Sequence, residues 1–154
     1  MCFLDDDELM DARYSDFDSF TNQETIDSVI FNMVHLWDDE DHYNMDYPYT
    51  YNGITIRFKM FRNIGRTQII FPKGKLHCNH TSYTGNVYHS PLLVIHYGHL
   101  SKEMRINKYN FYMKEDTEQC QKDYSHLIND HIRKGKILDI SIENLKNTIS
   151  IYKK

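Results

Sequence analysis

The sequence is poor in the residues that define small secreted or metal-knuckle folds. It has three cysteines, Cys2, Cys78 and Cys120, an odd number with no C-x-x-C pair. Neither a disulfide framework nor a zinc knuckle is therefore indicated, and a reducing, intracellular setting is expected. Only three prolines and six glycines punctuate 154 residues, so low-complexity linkers and collagen-like repeats are excluded. No apolar run approaches the length that spans a bilayer, and nothing reads as a signal peptide. A basic excess is also lacking: the net charge is −4, which gives no general reason to expect nucleic acid as a partner. What is present is ordinary core chemistry, 40% hydrophobic and 14% aromatic, enough for one domain.

The heavy use of Tyr, Asn, Ile, Lys and Asp is similar to chains from AT-rich genomes, viral or phage ones among them. The expected location is cytoplasmic (host cytoplasm if viral). Periodicity places strands at residues 26–37, 54–62, 67–71 and 91–97, with turn chemistry at 47–53 and a loop at 81–90. In the second strand Ile54, Ile56, Phe58 and Met60 alternate with polar neighbours. The period then changes. Ser101 can cap a helix with Glu103 in its first turn, and Ile106, Tyr109 and Met113 follow at helical spacing. A further helix is expected from Thr117, with Cys120, Tyr124, Leu127, Ile128 and Ile132 on one face and Gly135 as its stop. Strands first and helices after predict an α+β fold: a small, mixed, mostly antiparallel sheet in a single domain of residues 1–154, with 117–154 as a helical extension.

Four groups of residues could carry chemistry. Asp5-Asp6-Asp7-Glu8 follows a short apolar run. Four adjacent acids repel one another, and a divalent cation bound to carboxylate oxygens relieves this; a solvated acidic end is the plain alternative. If the chain is extended there, Asp5 and Asp7 point the same way and can meet one cation. His96-Tyr97-Gly98 ends an apolar strand, where a histidine can be a metal ligand, a base or a satisfied core residue. Lys102 and Arg105 follow within a helical turn and could meet phosphate or simply be solvated. Leu76-His77-Cys78-Asn79-His80 suggests metal without the spacing of a structural zinc site, and with His89 it admits a nuclease reading that suits an acidic chain poorly. In Trp37-Asp38-Asp39-Glu40-Asp41, Asp38, Asp39 and Asp41 include a possible general base or cap a loop.

Taken in order, five segments resemble the C-terminal part of a family-2-type glycosyltransferase of GT-A fold: FLDDDEL at 3–9, HLWDDEDHY at 35–43, ITIRFKMFRN at 54–63, GKLHCNH at 74–80 and LLVIHYGHLSKEMRINKYNFYMKED at 92–116. The resemblance implies inverting, metal-dependent hexosyl transfer from a nucleotide-diphosphate sugar to a hydroxyl acceptor (glycan, protein or lipid). Asp5 and Asp7 would hold Mn²⁺ or Mg²⁺ against the donor diphosphate, and His96 would complete the metal or phosphate site. Lys102 and Arg105 would lie on the phosphate side, and Asp38, Asp39 or Asp41 would be the base. In that family a nucleotide-binding βαβ half precedes the Asp-x-Asp strand. Here the acids stand at the start of the chain, so a partial enzyme, a separate partner half or a non-catalytic remnant acting as an interaction module is expected.

Overall fold

The computed structural model describes residues 4–11, 23–61, 85–116, 123–141, 143 and 145. The chain is α+β. A four-stranded sheet has the order β1 (Glu8–Met10), β5 (Val87–His96), β2 (Ser28–His35), β4 (Thr55–Phe61). β1 runs antiparallel to β5 and β4 antiparallel to β2, while the central β2–β5 pair is parallel. A two-stranded sheet pairs β3 (His42–Asn44) with β6 (Lys134–Lys136). One helix, α1 (Lys102–Glu115), follows β5. No helix among the described residues is long and apolar enough to cross a membrane.

All eight residues of β2 are buried, as an inner strand covered on both faces must be. One face packs Val29, Phe31 and Met33 with Leu92 and Val94. The other packs Val34 and Leu36 with Leu93, Tyr43, Ile54, Ile137, Ile140 and Leu145. β5 begins at Val87, so residues 87–90, which read as loop, belong to the strand. The sequence signal fails there because Pro91 cannot donate to a ladder. The register steps from Ile30↔His89 to Asn32↔Leu93, leaving Pro91 in a bulge. Two local hydrogen bonds form around it: Asn32 Nδ2 donates to Ser90 O at 3.2 Å, and Leu92 N donates to Ser90 Oγ at 3.1 Å. The expected Asn-Gly turn is present. Asn52 and Gly53 have φ of 48° and 78° between the mutually bonded Tyr51 and Ile54.

The C-terminal expectation needs correction. The described part of the helix expected from Thr117 is a 3-10 turn, Ser125–Leu127, followed by extended chain into β6. Asp123 Oδ1 accepts from Ser125 N at 2.7 Å, and Asn129 Oδ1 from His131 N at 2.9 Å. Such local side-chain acceptors compete with helical bonds. The expected strand at 67–71, the segment 74–80 with His77 and His80, all three cysteines, and residues 117–122 and 146–154 lie outside the described residues.

Helix α1 starts as expected, with Ser101 Oγ accepting from Met104 N at 3.2 Å. Its inward face differs from the expected one. Ile106 and Met113 are exposed, and the residue fully buried is Arg105. Its guanidinium lies 4.2 Å over the Trp37 ring. Nε donates to Leu127 O at 3.1 Å, NH2 to Asp130 Oδ1 at 3.1 Å, and NH1 pairs with Asp38. These contacts of Arg105 therefore dock the helix, together with the Tyr112 ring, 5.0 Å from that of Tyr124. Lys134 Nζ also reaches Asp38, at 2.8 Å.

Replacing Arg105 by Met should destabilise the chain by about 3 kcal/mol in urea unfolding, because a buried pairing network loses its centre; a loss below about 1 kcal/mol would contradict this docking role. Burial raises the Asp38 carboxyl pKa, but hydrogen bonds from Lys134 and Arg105 outweigh it and hold the group below its ordinary value. Its contribution to stability is therefore present above the unfolded value, about pH 4, and is lost as pH falls through the folded one. The stability gap between the wild type and Asp38→Asn should shrink on acidification below about pH 4.

Candidate functional site

Alternation along the sheet sets the site. Met33 pairs with Val94 and His35 with His96, so both histidines extend the apolar face of cluster residues one step beyond its end. On the other side of β5, Glu8 pairs with His96, placing Glu8, His96 and His35 in one row across three strands. All three are buried. Tyr97 to Leu100 form a turn, with Leu100 N donating to Tyr97 O at 3.0 Å. This folds His99 back against the row: its ring centroid is 4.9 Å from that of His96 and 5.3 Å from that of His35. Tyr47 stacks on His35 at 3.8 Å and 14°, and Trp37 meets His99 edge-on at 5.6 Å.

The acids enter differently from the sequence expectation. Residues 4–7 precede β1 and turn, with Glu8 N donating to Asp5 O at 3.1 Å and Asp5 N to Glu8 Oε2 at 3.0 Å. Asp5 and Asp7 therefore do not alternate along one extended strand. Asp5 and Asp6 are exposed and Asp7 is half-buried. Tyr97 N donates to Asp7 O at 2.7 Å, which fixes Asp7 beside the end of β5. Its Oδ2 lies 3.3 Å from His96 Nε2 and accepts from Lys108 Nζ at 3.2 Å. Lys108 Nζ is itself 3.3 Å from His96 Nε2. The hydrogen bond to His96 holds the Asp7 carboxyl well below the usual range, with the charges of His96 and Lys108 adding to it against the cost of burial. Burial, then the charges of Asp7 and Asp5, push the Tyr112 phenol up to about 12.

Burial, reinforced by the neighbouring His96, drives His35 and His99 well below the ordinary histidine value and keeps both rings neutral. Neutral imidazoles carry lone pairs that can bind a cation. His35 Nδ1 lies 3.2 Å from His96 Nδ1. His96 thus turns one nitrogen inward to His35 and the other outward to Asp7 and Lys108.

The remaining residues singled out by sequence lie elsewhere. Arg105 is held from several sides by the Trp37, Asp38, Asp130 and Leu127 contacts described above, and Lys102 pairs with Asp130. Asp38 is held by Arg105 and Lys134. Asp39 Oδ1 caps the turn, accepting from Asp41 N and His42 N at 2.9 Å each and meeting His42 Nδ1 at 2.8 Å. Asp41 is exposed. His89, part-buried in β5, pairs with Ile30 just before the bulge. Sequence reading missed His35, His99 and Lys108 as site residues, and took Glu8 only as part of the acidic run. For His35 a signal existed, since it ends an apolar strand just as His96 does; His99 and Lys108 are brought in only by the turn and the helix.

Comparisons with protein-family models, with curated proteins and with solved structures give no match.

Gly98 keeps the outer cluster open. A Cβ there would stand 2.5 Å from Lys108 Nζ and 2.6 Å from His96 Cε1. Gly98→Ala should leave the chain folded, because the atoms it meets are side-chain ends, while parting Asp7 from His96. Ring nitrogen and proton NMR shifts of His96 should move; unchanged shifts would contradict the close approach.

Proposed function

We propose that the chain is a glycosyltransferase-like module that transfers a sugar from a nucleotide-diphosphate donor to a hydroxyl acceptor, with Mn²⁺ or Mg²⁺ at the diphosphate. The observation that carries this reading is the meeting of Asp7 with His96 at 3.3 Å. The resemblance links the acids of FLDDDEL to the histidine of HYG, and these distant segments are neighbours in the sheet. The ammonium of Lys108 lies within hydrogen-bonding reach of both, so the place between them already accepts positive charge. The donor set fits a hard cation in part: Asp7 supplies an ionised oxygen ligand. When bound, such a cation neutralises the departing diphosphate. Lys108 and the outer nitrogen of His96 then serve the phosphate side. Of the candidate bases, Asp38 and Asp39 are committed to ion pairs and the turn, while Asp41 enters no side-chain hydrogen bond or ion pair among the described residues. This reading keeps a carboxylate of that segment as the base, with Asp41 the one left uncommitted.

A second reading, a remnant that serves as an interaction module, is favoured by Arg105. Its guanidinium, implied by the resemblance to meet phosphate, is engaged inside the fold. Calorimetric titration of the full chain with UDP-glucose and GDP-mannose at millimolar concentration distinguishes the two. The sugar-transfer reading expects binding of at least one donor that requires Mn²⁺ or Mg²⁺ and is lost in Asp7→Asn. Absence of binding by both donors, with either cation, would leave the remnant.

A further inference from the structure

The inner side of the strand ends holds a donor set of which the sugar-transfer reading uses only the outer nitrogen of His96. One ring nitrogen from each of His35, His96 and His99 falls within 4.8 Å of the others. The residues are only 4%, 8% and 2% exposed. The closest pair, Nδ1 of His35 and Nδ1 of His96, is separated by 3.2 Å. Two nitrogens bound at about 2.0–2.1 Å to one tetrahedral cation lie about 3.3 Å apart. That spacing also serves a hydrogen bond between neutral rings, so other features must decide.

Two do. His35 Nε2 and His99 Nδ1 are buried with no hydrogen-bond partner among the described residues. Burying such groups without a partner is costly, so packing alone gives no reason to gather three imidazoles here. The second feature is the Asp7 carboxylate on the outer nitrogen of His96. A carboxylate accepting from one ring N–H leaves the other nitrogen as a lone pair facing inward, which is the usual orienting contact behind a metal-bound histidine. Stacking on Tyr47 and contact with Trp37 fix the other two rings.

We propose that His35, His96 and His99 form a three-imidazole site for a borderline divalent cation of the zinc class, with Asp7 orienting His96. Nitrogen ligands select Zn²⁺, Co²⁺, Ni²⁺ or Cu²⁺ over Mg²⁺ and Mn²⁺. Three protein ligands leave a fourth position for water or a ligand oxygen. The site does not depend on sugar transfer: it requires neither nucleotide nor acceptor, and either proposal can fail alone.

The test is titration of the full-length, chelator-stripped chain with Co²⁺, followed by the visible bands of tetrahedral cobalt, and then displacement by Zn²⁺. The expected result is one equivalent of Co²⁺ with tetrahedral bands, displaced by Zn²⁺ and unaffected by excess Mg²⁺. The bands should be lost in His35→Asn and in His99→Asn, with folding checked by circular dichroism. Asp7→Asn should weaken the site about 10- to 100-fold. Absence of tetrahedral bands in the wild type overturns the proposal without recourse to any variant. Bands that survive in a folded His35→Asn,His99→Asn double variant overturn it too, and unchanged affinity in Asp7→Asn overturns the orienting role.

Discussion

The parallel pairing of β2 with β5 is the constraint on which the rest depends. Both strands are inner strands, and their facing residues build the two apolar layers of the core. A parallel pair brings like ends together, so the C-terminal ends of both strands open on the same edge. The register that seats Met33 against Val94 must then seat His35 against His96. A slip by one residue would turn every apolar side chain of one strand to the wrong face. The energy of core packing therefore holds the histidine pair in place, and the site inherits its precision from the strands.

Polar docking surrounds this edge. β1 brings Glu8 into the row and Asp7 to its rim, and α1 approaches through Arg105 and Lys108 rather than an apolar stripe. Arg105 ties the helix to Trp37 and Asp38 on the chain leaving β2, and to Asp130 and Leu127 in the C-terminal segment. Lys134, at the start of β6, completes the ion pairing at Asp38. A helix docked in this way leaves Met104, Ile106, Phe111 and Met113 exposed. The same docking delivers Lys108 to Asp7 and His96.

Strands β2 and β4 were legible because their chemistry is local. The apolar run at 28–35 and the alternation at 55–61 read as strands and are strands. The start of β5 was hidden because Pro91 reads as a breaker, and the bulge that accommodates it uses the distant Asn32 side chain. Ser101 announced the start of α1, whereas apolar spacing pointed to the wrong face because the inward residue is an arginine. Part of the site was legible in the same way. A strand-end histidine and a run of acids mark His96 and Asp7, but the turn that carries Asp7 and the return of His99 are tertiary outcomes. His35 was read as one more strand residue. Only the register shows it to be the neighbour of His96.

The central claim is that two strand ends assemble one metal-competent edge from residues far apart in sequence. Crystals of the full chain grown with Zn²⁺, with anomalous differences recorded at the zinc absorption edge, test it most directly. The account predicts a peak about 2.0–2.1 Å from a ring nitrogen of each of His35, His96 and His99, with Asp7 on the outer nitrogen of His96. A fully occupied zinc bound elsewhere, with these three rings hydrogen-bonded only to one another, would contradict it.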